Sequence, residues 1–147
     1  MKRNILLLIS IVVVAFQLNA QNRDDIPNPS FEDWDDENEE PVSWSTPNPY
    51  TALAMTQCVF KETDDPYDGN FSSKLVSVAV KTFKVPGVVT LGWLSVDILA
   101  QPPAASIDGG MPWNSRPAKL KGQFKYDPFD GDTCAVIAIF TRYIPTK

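Results

Sequence analysis

The residues of this chain best suited to chemistry are a tryptophan and its polar neighbours in the segment VVTLGWLSVDI, residues 88–98. If this segment is a strand, alternation places Trp93, Ser95 and Asp97 on one face and Leu94 on the other. A sugar ring presents a flat C–H face that a tryptophan can cover, while polar neighbours satisfy its hydroxyl groups. The pattern therefore predicts a glycan-binding face made by Trp93, Ser95 and Asp97.

Two further observations bear on this face. Val89 and Leu91 fall on the same side as Trp93, so the alternative is that this tryptophan belongs to the core. Trp113 lies in a proline- and glycine-rich segment, residues 100–117, which we interpret as a loop. We expect Trp113 either to cap a ligand groove or to fold over the end of the protein.

The chain offers little for catalysis. It has no histidine, which removes the usual general base and every Ser-His or Cys-His nucleophile. A glycosidase would need two carboxylates, one with a raised pKa. Only Glu32, Asp97 and Asp127 lie in or beside predicted strands, and the other acidic residues fall in turns and loops. We therefore predict a protein that is not an enzyme.

The first 20 residues have a basic start, an apolar run and a small residue at the end, which is typical of a secretory signal peptide. The apolar run is too short to span a bilayer. We expect a mature chain of residues 21–147 that is secreted, periplasmic or held at the cell surface. This mature chain has 11 basic and 18 acidic residues, so neither nucleic acid nor an anionic membrane surface is an expected partner.

Two cysteines, Cys58 and Cys134, would reach an oxidising compartment after export. They could form a disulfide, or each could pack as a small hydrophobic side chain within a strand. The sequence leaves both readings open, because it does not give the separation of their Cα atoms.

The segment RPAKLKGQFKYDP, residues 116–128, alternates in the manner of a strand. One face carries Leu120, Phe124 and Tyr126, which we expect in the core. The other face is a lysine row, defined as Lys119, Lys121 and Lys125. The row is typical of a solvated face that discourages edge pairing, and the alternative is contact with an anionic glycan.

The remaining elements also read as short strands. Strands are predicted near Phe31 and at 42–44, 56–61, 73–82, 88–98 and 133–143, and the last of these, apolar on both faces, should be central. Thirteen prolines disfavour long helices. These patterns predict one all-β sandwich domain with Phe31 and Trp44 in its core. The pattern stops soon after its most apolar strand, so either other segments flank this strand or, as we favour, the sandwich is truncated at the C-terminus.

The stretches IPNPSFEDWDDENEEPVSW, DDPYDGNFSSKLVS and SRPAKLKGQFKYDPFDGDTCAVIAIFTR resemble jelly-roll carbohydrate-binding modules and the carbohydrate metabolism domains (PCMD) exported by Bacteroidetes. This resemblance covers residues 26–143 and implies a jelly-roll antiparallel β-sandwich. It also implies a calcium site that would use Glu32 and, more weakly, Asp68. No other cofactor is implied.

Taken together, these features predict a secreted, non-catalytic module that binds a glycan or a cell-surface polysaccharide. The alternative, from a different class, is a structural or adhesion domain that packs against another surface protein and has no sugar site.

Overall fold

Most of the regular structure in this chain consists of short antiparallel strands. A computed structural model describes residues 25–37, 39–97, 100, 102–129 and 131–142. The expected signal peptide, residues 1–20, lies outside this part. The chain divides after Asn114 into two units, where the sequence predicts a single domain over residues 21–147.

The strands described in the first unit form four two-stranded antiparallel sheets. The pairs are β1 (Trp34–Asp35) with β2 (Glu40–Pro41), β3 (Val59–Glu62) with β4 (Ser72–Leu75), β5 (Val78–Val80) with β6 (Phe83–Val85), and β7 (Trp93–Asp97) with β8 (Ala104–Asp108). A single four-residue α-helix, α1 (Asn48–Thr51), continues into a 3-10 turn at Ala52–Ala54. The all-β prediction is confirmed. The described strands remain four separate pairs and do not join into the larger sheets of a jelly-roll sandwich.

None of the helices in the described residues is long and apolar enough to cross a membrane.

The strand predicted at 73–82 is two strands in the structure. β4 pairs with β3, and β5 turns back at Lys81, which has a φ of 53°, to pair with β6. Between them, Val76 N–H donates to Cys58 O at 2.8 Å. The uninterrupted alternation of valines hides this break, because the partner strand changes while the side-chain pattern does not.

The core of the first unit is small and centres on a buried amide. Cys58, Val59 and Leu94 are its buried apolar residues. The Asn48 side chain, 1 % exposed, donates to the carbonyl of Val59 at 2.7 Å and accepts from the backbone N–H groups of Cys58 and Val59 at 3.1 and 3.0 Å. Because each of these buried groups finds a partner, Asn48 ties the start of α1 to the start of β3.

Aromatic side chains pack together near the start of the described residues. The rings of Phe31 and Trp44 lie 5.2 Å apart, and both side chains are half-buried. They contact each other, but they are less buried than the predicted core position requires. Phe31 itself has a φ of 57° and is not in a strand, so the strand predicted there is wrong. Trp34 donates from Nε1 to the carbonyl of Phe31 at 2.6 Å.

The second unit, which begins at Ser115, departs most from the sequence predictions. No strand is present in its described residues, 115–129 and 131–142. Leu120, Phe124 and Tyr126, expected in the core, are 53, 75 and 43 % exposed. The lysine row is exposed too, as expected. Alternation alone does not hold a strand, since its backbone groups need a neighbouring strand to pair with.

The predicted central strand at 133–143 is also wrong over its described residues, 133–142. Val136, Ile137, Ile139 and Phe140 are each at least 61 % exposed. Before this segment, Asp132 N–H donates to the carbonyl of Phe129 at 3.0 Å, and Gly131 has a φ of 78°.

Candidate functional site

The hairpin of β7 and β8 carries the best candidate site, because its side chains alternate as the sequence predicts. Leu94 is 5 % exposed and Trp93 is 72 % exposed. Ser95 and Asp97 are exposed on the same face as Trp93. The alternative that Trp93 belongs to the core is therefore wrong.

The inner edge of β7 is fastened to the rest of the first unit through Leu94. Its N–H donates to Ser45 Oγ at 3.2 Å, and its carbonyl accepts a hydrogen bond from the Tyr50 hydroxyl at 3.0 Å. Ser45 also forms an antiparallel bridge with Thr90, with two backbone hydrogen bonds of 2.8 and 3.0 Å. With Leu94 held inward at two atoms, its neighbour Trp93 must project outward.

The β8 strand completes this face with a second set of polar side chains. The register places Asp108 opposite Trp93 and Ser106 opposite Ser95. Residues directly opposite each other in an antiparallel pair point to the same face, so the Trp93 ring and the Asp108 carboxylate are neighbours. Sequence reasoning missed β8, since Ala104–Asp108 lies within a stretch interpreted as a loop; the apolar Ile107 before the Gly109–Gly110 pair is the weak signal that could have indicated it.

An open groove of about 480 Å³ runs beside Trp93. It is lined by two carboxylates, two serines, two tryptophans, a leucine and three glycines: Glu40, Asp108, Ser43, Ser45, Trp44, Trp93, Leu91, Gly92, Gly109 and Gly110. We call it the Trp93 groove. Ser95 and Asp97 continue the exposed face along β7 beyond these lining residues.

Three glycines shape the groove. A Cβ on Gly92 would lie 2.6 Å from Ile107 Cγ2 and 3.0 Å from the carbonyl of Asp108, so only glycine lets β8 approach β7 this closely. Gly109 and Gly110 have φ values of 73° and 133° and open space where a Cβ would be. This end of the groove is therefore bare backbone that a ligand can approach closely.

The other predicted ligand residues have different surroundings. Trp113 is half-buried and is not among the residues that line the groove. The Asp97 Oδ1 atom accepts a hydrogen bond from Ala100 N–H at 3.1 Å. Of the predicted set, Trp93 alone lines the groove, with Ser95 and Asp97 adjacent to it on the sheet.

The predicted calcium residues do not fit a calcium ion. The Glu32 carboxylate accepts hydrogen bonds from the N–H groups of Asn70 and Phe71, each at 3.0 Å, and from the Asn70 amide at 3.3 Å. These backbone hydrogen bonds, that from Phe71 first, lower the pKa of Glu32. Asp68 accepts from Gly69 N–H at 3.0 Å. Among the described residues, no group of three or more His, Cys, Asp or Glu side chains is placed to hold a metal.

Glu32 thus acts as an anchor for the loop between β3 and β4. The loop residue Gly69 has a φ of 74°, and a Cβ there would collide with the Glu32 carboxylate. The site predicted for a cation is occupied by the protein's own N–H donors.

Both cysteines are free in the structure. Cys58 is buried and Cys134 is exposed. Burial raises the pKa of the Cys58 thiol to about 11, so this thiol is protonated and unreactive near neutral pH. Of the two readings that the sequence left open, packing as a small hydrophobic side chain fits Cys58.

A second groove, of about 440 Å³, lies beside β1 and β3 and is lined in part by Trp34, Asp35, Asp36 and Phe60. Its tryptophan is half-buried, and its Nε1 donor is already used by the carbonyl of Phe31. The Trp93 groove offers a more accessible ring, and is the stronger candidate for stacking on a sugar.

No protein-family model, curated protein or solved structure matches this chain.

Proposed function

We propose that this protein is a secreted, non-catalytic glycan-binding module that uses the Trp93 groove. The observation that carries the proposal is the exposed Trp93 ring, 72 % accessible, beside the carboxylate of Asp108. A flat apolar ring with hydrogen-bonding groups at its edge matches a sugar, which has a C–H face and a rim of hydroxyls. Export through the residue 1–20 signal and kinship with the PCMD domains belong to the same proposal.

The groove also contains two carboxylates, so hydrolysis is the natural rival. Glu40 is engaged as an acceptor, since its Oε1 atom takes hydrogen bonds from the backbone N–H and the hydroxyl of Thr46, both at 2.8 Å. These bonds fasten the side chain to the fold and are consistent with a structural task for Glu40. We therefore propose binding without turnover.

A glycan array with matched tryptophan and tyrosine variants tests the proposal. Trp93→Ala should weaken binding of any captured glycan about tenfold or more, because the central aromatic ring of a binding site commonly dominates its energy. Tyr67→Ala is the control, since Tyr67 is 80 % exposed and does not line the groove. Its binding should stay within about twofold of wild type.

Equal loss in both variants, or no capture by wild-type protein, would contradict a sugar site at Trp93. Release of shorter sugars from a captured glycan would contradict the non-catalytic part of the proposal.

A structural or adhesion domain is the second candidate function, and one observation favours it. Phe124, Phe129, Ile137 and Ile139 of the second unit are 74 to 85 % exposed. Where such exposed apolar side chains form a contiguous patch, the patch is typical of a surface that contacts another protein. Cross-linking of the full chain to co-expressed surface proteins, with no signal on the glycan array, would favour this candidate over a sugar site.

A further inference from the structure

We infer that the Trp93 groove selects uncharged glycans and rejects those bearing carboxylate or sulfate groups. This inference rests on the proposed function and adds the substrate class. It follows from the charges that line the groove and from the position of one of them beside the stacking ring.

The charge at the groove is of one sign. Glu40 and Asp108 contribute carboxylates, and the described lining includes neither lysine nor arginine. Its remaining polar side chains are the hydroxyls of Ser43 and Ser45 and the indole N–H of Trp44 and Trp93. An anionic sugar would therefore meet like charge without a cation to neutralise it.

Asp108 is the carboxylate that a stacked sugar would meet first, because the strand register sets it opposite Trp93. Ser106 Oγ donates to Asp108 Oδ2 at 3.3 Å, which orients the carboxylate. The Oδ1 atom has no hydrogen-bond partner among the described residues. A sugar hydroxyl can donate to it in a charge-assisted hydrogen bond, whereas a carboxylate or sulfate has no proton to give.

The composition of this unit adds to the effect. Between positions 21 and 114 the sequence has fifteen acidic and five basic residues. Of these basic residues, Lys74 is paired with Glu62 at 2.9 Å and Lys61 lies 4.0 Å from the centre of the Phe71 ring. Because this unit carries an excess of negative charge, we expect a repulsion of anions that weakens as salt is added.

The test compares sugars that differ only in charge. Neutral oligosaccharides are printed beside their C6-carboxylate counterparts and probed with wild type, Asp108→Asn and the control Asp64→Asn. Wild type should bind the neutral member of a pair at least tenfold more tightly, and the preference should shrink in high salt. Asp108→Asn keeps an acceptor oxygen but removes the charge, so its preference should fall at least fivefold, and Asp64→Asn should match wild type.

The outcomes separate the two proposals. Equal or tighter wild-type binding of the carboxylate member would overturn the charge selection and leave a sugar site standing. If neither member binds, the proposed function fails and the selection fails with it. Thermal unfolding of Asp108→Asn checks that the variant is folded, and Glu40→Gln, which keeps its acceptor for Thr46, should shift the preference in the same direction.

Discussion

The Glu32 side chain shows how one residue can accept the hydrogen bonds of a loop whose partner the sequence pattern does not reveal. Its carboxylate accepts two backbone N–H groups and one side-chain amide from Asn70 and Phe71, 38 and 39 residues later in the chain. The resemblance to carbohydrate-binding modules implied that Glu32 is a calcium ligand. The structure gives it a different role, and this role has a measurable pH dependence.

Replacing Glu32 by glutamine should destabilise the protein at neutral pH and have less effect in acid. The folded-state pKa of Glu32 lies below its ordinary value of 4.5 because Phe71 and Asn70 donate hydrogen bonds to the carboxylate. A lowered folded-state pKa contributes stability that is present above the unfolded-state pKa and is lost as the pH falls through the folded-state value. Thermal melts of wild type and Glu32→Gln should therefore differ most at pH 6–7 and converge as the pH falls through the lowered folded-state pKa.

Glu37→Gln is the matched control, since Glu37 is an exposed carboxyl near Glu32 in the sequence. Glu62, whose pKa is also lowered, chiefly by the hydrogen bond from Lys74, is unchanged in both variants and cancels from the comparison with wild type. A melting-point gap between wild type and Glu32→Gln that stays constant from pH 7 to pH 3 would contradict the anchoring role.

The close approach of β7 and β8 in their hairpin depends on Gly92, a residue without a Cβ atom. Gly92→Ala would place a methyl group 2.6 Å from Ile107 Cγ2 and 3.0 Å from the Asp108 carbonyl. Overpacking of this kind typically costs about 1–3 kcal/mol, which urea unfolding would measure. Glycan binding should weaken as well, because Asp108 would move away from Trp93.

Gly122→Ala serves as the control, because a Cβ there meets open space, and its stability should change by less than about 0.5 kcal/mol. Adding Ile107→Ala to Gly92→Ala removes the nearest clashing atom and should restore part of the stability at little cost, since Ile107 is 56 % exposed. If the double variant is no better than Gly92→Ala, the clash is not the cause.

The elements that sequence could predict are those whose side-chain environment follows from neighbours along the chain. Alternation placed Leu94 inward and Trp93 outward correctly, and the β-rich residues after Gln57 did form β3. β8 was missed because its small residues show only a weak strand pattern. They form a strand because they pair with β7, and the sequence of β8 alone does not reveal this pairing. Asp108 therefore could not be foreseen beside Trp93.

At the scale of the whole molecule, the same local reasoning failed for residues 116–128 and 133–142. Leu120 and Phe124 have the alternation of Leu94 and Val96, yet they are exposed while Leu94 is buried. The difference lies in partners: β7 pairs with β8 and is fastened through Ser45 and Tyr50. In the second unit, no strand ladder is present in the described residues to hold the backbone.

This contrast predicts where a protease enters the molecule. Trypsin should cut first after Lys119, Lys121 or Lys125, which are exposed and outside strands. Lys74, also exposed, should resist longer, because it lies within β4 in a four-residue ladder with β3 and is paired with Glu62. A backbone held in a ladder must open locally before it fits a protease site, whereas an unpaired backbone needs no such step.

Mass spectrometry of a timed digest would identify the first cleavage. Early cleavage at Lys74, with residues 115–142 intact, would contradict this prediction. It would show that the backbone of residues 115–142 is protected by pairing, as the strands predicted from the sequence require.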